Sequence, residues 1–519
     1  MTVKTLIKKS EYHDSVSLML VARELAGLDG VDDAAVVMAT DANKSILDEA
    51  GMLTEAAHAA TANDLVIAVM AGTEVDADDA LENVEALFAK KAAEDEAADY
   101  RPKSIRGAFA SYPDANVTVV SVAGRYAADE AWEALTRGMH VLLFSDNVSL
   151  EDEIALKEYA RDNGLLLMGP GAGTAILNNV ALGFANVIPA GNVGIVSAAG
   201  TGLQEVSTLV AKNGLGITQG IGTGGRDLKK EVGGIMMLEG LKALQQDPAT
   251  EVIALVSKPP APEVVDKILA QVKESEKPTV VCFMGGDVSN VAEVETAIPA
   301  RTLQEGGLLA AQAAGADIGD IKAMVAEETA KLKTLAAGLK KDLVPNQKYL
   351  RGLFSGGTLC YEAQVIWREL LPDPVHSNAP LPGEPGLEDS TKSVRHTTVD
   401  LGEEEFTVGR PHPMIDNDLR IRRMLQEAAD PEVAVVIMDI VIGYGAHSDP
   451  ASELGDAVVQ SVELAKKDGR TLHFIASVTG TDHDPQGLQH TINTLKRAGV
   501  IVCDSNAAAA RLTAFLVSG

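Results

Sequence analysis

A chain of 519 residues, 46% apolar and 23% charged, carries enough material for three or four domains of about 150 residues each and is neither disordered nor fibrous. Lys and Arg number 44 against 74 Asp and Glu, a net charge of −30 that repels phosphate backbones and anionic lipid, and 4% aromatics leave little for base stacking. Cys282, Cys360 and Cys503 are too scattered for a disulfide framework or zinc site, and no apolar run spans a bilayer, so a soluble cytoplasmic protein without nucleic-acid or membrane partners is expected.

From the N-terminus, strand and helix patterns alternate over Val3–Ile7, Asp14–Ala26, Ala34–Met38, Ala42–Glu49, Leu65–Met70 and Ala77–Ala89, which predicts a small α/β domain at 1–90. Lys90–Arg106 is charged and Ala-rich without an apolar stripe, the composition of an exposed helix running into a linker. From Asn116, the runs VTVVSVAG, HVLLFS and LLLMGPGAG are separated by helices from Ala128 and Leu150, a Rossmann-type unit over 107–190. A second unit, 191–342, opens with GNVGIVSAAGTG and closes with a helix through Ile321–Lys341. A third, 348–519, is interrupted at about 373–398 by a Pro-, Gly- and Ser-rich segment that reads as a long loop, a lid or a contact arm. The fold class expected is α/β: several doubly wound parallel sheets with a small N-terminal α/β domain.

The second and third units echo each other. GIVSAAGTGLQEV from Gly194 returns as GLFSGGTLCYEA from Gly352, and QQDPATEVIALVSKPP from Gln245 as EAADPEVAVVIMDIVIG from Glu427, which points to a pseudo-twofold pair of domains. In the first echo, Ser197, Gly200 and Thr201, and then Ser355, Gly356, Gly357 and Thr358, stand between a strand and a helix, where bare N–H groups attract anions. A second pair of turns contains Gly224, Gly225 and Arg226 in one copy and Gly409, Arg410 and His412 in the other, and the arginines suit phosphate or carboxylate. The same residues would also serve as plain caps that let helices sit close to a sheet. No GxxxxGK[ST] occurs, and Gly169-Pro170-Gly171-Ala172-Gly173 misplaces the third glycine of a dinucleotide fingerprint. His447, after Gly443-Tyr444-Gly445 at a strand end, is a candidate donor to a carbonyl or phosphate oxygen, or a turn cap. Asp482, His483 and Asp484 would hold Mg2+ or a substrate amide, or form an exposed turn; Cys360 reads as a small core residue, and no metal site is assigned.

LLLMGPGAGTAILN, GFANVIPAGNVGIVSAAGTGLQEVSTLV, GIGTGGRD, QQDPATEVIALV and KPTVVCFMGG resemble, in order and spacing, the alpha chain of succinyl-CoA synthetase from about Val117 to Gly315. GLFSGGTLCYEA, DPEVAVVIMDIVIGYGAHSD and AGVIVCDSNAAAARL are similar to the C-terminal domain of its beta chain, and the fusion of these pieces resembles the FdrA family. The resemblance implies a CoA-binding-like Rossmann unit followed by two flavodoxin-like ligase domains. It also exposes departures. The synthetase's phosphorylated histidine has no counterpart, since no His lies between His140 and His376, and the matching stretch reads ARTLQEGGLLAAQAAG. Lys258 stands where the family has a Glu that orients that His, and a base there suits direct anion binding. The ATP-grasp portion and the CoA-gripping segment are missing, so neither CoA nor nucleotide is assigned as a cofactor. What the resemblance then implies is a subunit that uses a ready-made acyl phosphate, working with other enzyme subunits, with a homo-oligomer as the further expectation. The reaction so implied is that of an oxamate carbamoyltransferase of purine and allantoin breakdown, taking oxalurate and phosphate to oxamate and carbamoyl phosphate, with Lys258, His412 and His447 as catalytic candidates. An acyl-CoA ligase subunit that borrows nucleotide chemistry from a partner, and a non-catalytic scaffold, are the alternatives.

Overall fold

The computed structural model describes residues 2–11, 15–96, 102–408 and 410–518. The chain forms two compact units, residues 1–111 with 408–410, and residues 112–407 with 411–519. Asp14, at the start of the first expected helix, and residues 97–101 of the expected linker lie outside the described residues.

In the first unit, Thr2–Lys8 and Val31–Met38 flank a central strand, Leu65–Ala71, and both run antiparallel to it. The central strand reads LVIAVMA, apolar at every position, because helices cover both of its faces. Leu65, Ile67 and Val69 pack with Leu18, Leu25 and Val84 of the helices Ser15–Ala26 and Glu74–Glu96. Val66 and Ala68 point the other way, toward Leu47 and Ala57 of the helices Asp41–Glu49 and Glu55–Ala59.

The second unit contains three sheets. Val117–Val120, His140–Leu143 and Leu167–Met168 form a short parallel one. A seven-stranded sheet runs Ala297–Ala300, Thr279–Phe283, Val252–Ser257, Ala190–Ser197, Ile217–Gly222 and then the hairpin Thr174–Leu177 and Val180–Gly183. The hairpin precedes residue 191 yet pairs into this sheet, Ile176 opposite Gly220, so the sheet begins upstream of the boundary read from the sequence. A six-stranded parallel sheet runs His376–Ser377, Thr397–Asp400, Tyr349–Phe354, Val433–Val441, His473–Thr479 and Ile501–Cys503.

The sequence echo thus becomes the same topology built twice. Ala190–Ser197 has its successor, Ile217–Gly222, on one side and the next three strands on the other, and Tyr349–Phe354 has Thr397–Asp400 and then His376–Ser377 on one side and the last three strands on the other. The carboxyl ends of these two strands are therefore topological switch points, where α/β sheets open a crevice.

The 373–398 segment is fastened down. His376–Ser377 pairs with Thr397–Thr398, Arg351 bonds to Glu427 and Asp430 at 2.7 Å each and to the Arg395 carbonyl, and Arg423 donates to Ser390 O and Ser393 Oγ. A buried, multiply connected network of this kind fixes one conformation, which suits a wall and not a lid. Among the described residues, no helix is long and apolar enough to cross a membrane.

Candidate functional site

The two switch points face each other. Ala190–Ser197 leads into the helix Gly200–Lys212 and Tyr349–Phe354 into Gly357–Leu370, and both helices are buried through most of their length, Thr201–Val210 and Thr358–Trp367 without a break. Such helices have no solvent face because each is wedged between a sheet and its counterpart. Glycine permits the approach: a Cβ on Gly202 would stand 3.0 Å from Thr358 Cγ2, and one on Gly356 only 2.8 Å from Thr201 Cγ2. The structure so brings together Ser197, Gly200 and Thr201 with Ser355, Gly356, Gly357 and Thr358, reciprocally about the pseudo-twofold.

The two helix starts differ in charge. Ser355 and Gly356 donate their backbone N–H groups to Asp439, at 2.8 and 2.7 Å, and Ser355 Oγ lies 3.1 Å from both carboxylate oxygens. Arg420 backs this carboxylate through the Asp439 carbonyl and Oδ1. The N-terminus of Gly357–Leu370 is thereby neutralised from within. At the other start, Ser197 Oγ accepts from Ala199 N at 3.1 Å and donates to Ala199 O at 2.7 Å, and among the described residues nothing accepts the N–H groups of Gly200, Thr201 and Gly202. An aligned helix start with open donors is a site for negative charge.

Two more groups lie against the helix Gly357–Leu370. Asp400 ends its strand 2% exposed, with Oδ1 accepting from Gly402 N at 3.0 Å. Burial, and then the neighbouring Glu403, lift its carboxyl to about 7, against the pull of the Lys258 ammonium. Lys258 itself is exposed at the end of Val252–Ser257 and places Nζ 5.3 Å from the ring centroid of Tyr361, which belongs to the opposite repeat. It therefore straddles the seam between the repeats.

Other expected residues have structural duties. Arg226 bonds through Nε to Glu153 and through Nη2 to Val148 O, both at 2.8 Å, so its guanidinium is committed and does not wait for a phosphate. Glu153 also holds Lys157, which reaches Asp227 at 2.8 Å, and Asp227 in turn caps the helix Ile235–Gln246 at Met236 N and Met237 N. An internal carboxylate thus fills the anion position of this turn. Gly224, at φ +84°, is needed because a Cβ would lie 2.4 Å from Pro170 O, and Gly225 sits beside Ala198 O. Arg226→Ala is expected to cost about 1–3 kcal/mol by removing the cation paired with buried Glu153, with orthophosphate affinity unchanged; denaturation and titration of the variant check both.

His412 accepts from Met414 N at 3.2 Å and packs on Phe184 with ring centroids 5.5 Å apart; burial drops its pKa to about 4, leaving a neutral ring. His447 accepts from Asp449 N through Nδ1 and lies 3.2 Å from Glu453 through Nε2, the arrangement of a turn cap and not of a free donor. Gly409 lies outside the described residues, and Arg410 groups with the first compact unit, not with the unit that holds this site. Asp484 accepts from Asn186, Val187 and Thr481, a structural turn, and among the described residues no His, Cys, Asp and Glu cluster suits a metal ion. Cys360 is buried and burial pushes its thiol well up, so it is not a nucleophile.

Sequence reasoning passed over Asp400, Asp439 and a polar hub deeper between the repeats. There Glu362 accepts from Leu303 N at 2.6 Å and Asn506 Nδ2 at 2.7 Å, while Glu205 accepts from Asn506 N and Thr479 Oγ1. A signal existed: Glu205 and Glu362 occupy the same place in the echo, five residues after Gly200 and Gly357.

Three family models match the chain: "AllF, heavy metal-associated domain" over residues 1–103, "CoA binding domain" over 189–286 and "CoA-ligase" over 353–516. Soft metals take thiolates, and residues 1–103 contain no cysteine, so the residues present do not fit a heavy-metal site there. The chain is 43% identical to YahF of Escherichia coli over 510 residues, covering 98% of this chain and 97% of that one. It is 27% identical over 237 residues to succinate–CoA ligase [ADP-forming] subunit alpha 2 of Archaeoglobus fulgidus, covering 42% of this chain and 77% of the relative. Among solved structures, ATP citrate lyase from Methanothrix soehngenii, in complex with citrate and coenzyme A, aligns over 80% of this chain and 84% of its own, with 15% identity and a TM-score of 0.35. With identity sustained across almost the whole of both chains, the protein belongs to the family of YahF, a succinyl-CoA synthetase-like family within the acyl-CoA synthetase superfamily.

Proposed function

We propose that this protein is a subunit of an acyl-CoA ligase-like enzyme and that it holds the phosphate of an acyl phosphate at the start of the helix Gly200–Lys212. The observation that carries this reading is the reciprocal approach of two helix starts, one with the Asp439 carboxylate bonded to the two residues before it and one without such a carboxylate among the described residues, with Lys258 across the seam. Oriented N–H groups and the ammonium stabilise charge on the phosphate as it leaves, without reorganisation at that moment. The hydroxyls of Thr201 and Thr358, 6% and 5% exposed, make no hydrogen bond with any described residue and supply two further donors.

The chemistry is acyl transfer. A nucleophile adds to the carbonyl carbon, the C–O bond to phosphate breaks, and the nucleophile's proton passes to solvent or base while phosphate stays at the helix start. No His lies between His140 and His376, so a phosphohistidine relay has no carrier in the first repeat. A Cβ on Gly124, which opens the helix after Val117–Val120, would stand 2.3 Å from Asp146 O, so that turn is packed against the chain's own backbone.

A second reading, an FdrA-type carbamoyltransferase acting on oxalurate or oxamate, is favoured by the missing histidine alone, because an enzyme without that relay needs an acyl phosphate made ready. The relatives named above lend it no support.

Orthophosphate titration tests the shared core of both. Phosphate is expected to raise the melting temperature of the full chain. Lys258→Glu is expected to weaken binding about tenfold, or ~1.4 kcal/mol, and Lys258→Met by less, since only the former adds a like charge. Wild-type affinity in both variants would remove Lys258 from the site.

A further inference from the structure

We propose that the strand Val117–Val120 is a self-association edge: it pairs antiparallel with the same strand of a second copy of this chain, joining the two short sheets side by side.

This strand closes one side of its sheet and has a neighbour, His140–Leu143, on the other side alone. The main-chain bonds from His140 N to Asn116 O and from Phe144 N to Val120 O set the parity of the ladder. Alternate residues of a parallel strand turn N–H and C=O to the same neighbour, so Asn116, Thr118 and Val120 face His140–Leu143 while Val117 and Val119 present theirs outward. Among the described residues nothing bonds to these outward groups. Such an edge is ordinarily blunted by a charge, a proline or a glycine kink. Two other edges of the second unit are treated in this way: Ala297–Ala300 contains Pro299, and Val180–Gly183 ends on Gly183 at φ +71°. VTVV has none of these devices, Val119 is 48% exposed, and Val122 and Tyr126 just beyond it are exposed as well.

Charge decides what fits this edge. Residues 112–126 carry one acid, Asp114, and one base, Arg125, and are neutral within a chain of −30. Both side chains are exposed, and neither has an ion pair among the described residues; Arg125 only stacks on Tyr126, 4.8 Å from its ring centroid. The two stand on opposite sides of Thr118 in the chain. A two-fold axis through Thr118 sets Val117 opposite Val119 of the second copy, so that the outward groups of both copies are used in reciprocal main-chain bonds. The valines then form apolar cross-strand pairs on one face. The same axis lays the Asp114 end of each strand against the Arg125 end of the other. A parallel arrangement would set Asp114 beside Asp114 and Arg125 beside Arg125, so the charges select the antiparallel, self-complementary one.

Sedimentation of the full chain at micromolar concentration is expected to give twice the chain mass. Val119→Lys places a charge on the edge and should give the mass of a single chain, with an unchanged circular dichroism spectrum. Asp114→Arg and Arg125→Asp each bring like charges together and should each raise the dissociation constant of the dimer about tenfold. The variant with both substitutions restores opposite charges across the axis and should return to near the wild-type constant, an outcome that a folding defect cannot give. Thr118→Cys lies on the axis, where facing Cα atoms of a non-hydrogen-bonded pair stand about 4.5 Å apart, and mild oxidation should yield a covalent dimer that the wild type does not form. Wild-type association in Val119→Lys, charge effects that add in the double variant, or absence of the cross-link would overturn the assignment. A wild type that sediments as single chains would also overturn it and would leave this edge to a different protein.

Discussion

Asp439→Ala is expected to destabilise the second compact unit by about 3–5 kcal/mol, the cost of leaving a buried charge without its partner. Asp439 is fully buried and Arg420 2% exposed, and the guanidinium has the Asp439 carboxylate and carbonyl within reach. Removing the carboxylate strands Arg420 and frees the N–H groups of Ser355 and Gly356 together. Adding Arg420→Met removes the stranded charge, so the double variant should recover a substantial part of the loss in chemical denaturation. Additive losses would mean that the two side chains do not act as a pair. The same variant empties the helix start of Gly357–Leu370, and orthophosphate should then raise its melting temperature by more than it raises that of the wild type.

The pairing of these residues explains what the sequence could and could not tell. The echo from Gly194 and Gly352 was legible because a strand, a sharp Gly turn and a helix must recur wherever a doubly wound unit is repeated, and the two large sheets follow from it. The facing of the two turns agrees with the pseudo-twofold pair of domains to which the echo pointed. The partners were not. Arg226 reads as an anion binder because its neighbours are glycines, but Glu153, its actual partner, sits on a helix of the short sheet, which no local pattern links to it. Asp439 lies inside VAVVIMDIV, a run whose burial is plain, yet the need it meets arises at Ser355 and Gly356, more than eighty residues earlier. Asp400 ends a four-residue strand with no hydrophobic period to mark it. In the first unit, apolar residues on every position of Leu65–Ala71 indicated burial on both faces, but not that both neighbours would run antiparallel.

Stability should also fall with rising pH through two buried carboxyl groups, Asp400 and Glu362, and Glu362 is the one taken as the test. Full burial, chiefly, raises its pKa from the ordinary 4.5 to about 7, with Glu205 adding to the rise and with Asn506, Leu303 N and Arg511 opposing it. A carboxyl whose folded pKa exceeds its unfolded value binds its proton more tightly in the native state, so its contribution is full below about pH 4.5 and is lost as pH climbs through 7. The amount at stake is roughly 3 kcal/mol. His396 and His412, each lowered to about 4 by burial, act in the opposite sense, losing native stability as pH falls from 6.5 toward 4. The wild type alone would therefore show a muted profile, and a difference measurement is needed. In Glu362→Gln the amide cannot ionise, and its NH2 confronts either Leu303 N or Asn506 Nδ2, a cost that is the same at every pH. The histidine contributions cancel between the two proteins. The stability advantage of the wild type over Glu362→Gln, measured by denaturation at pH 5 and pH 8, should shrink by most of that amount across the interval. An advantage that stays constant would mean that Glu362 is ionised in the folded protein throughout, with the helix start at Leu303 and the amide of Asn506 outweighing its burial.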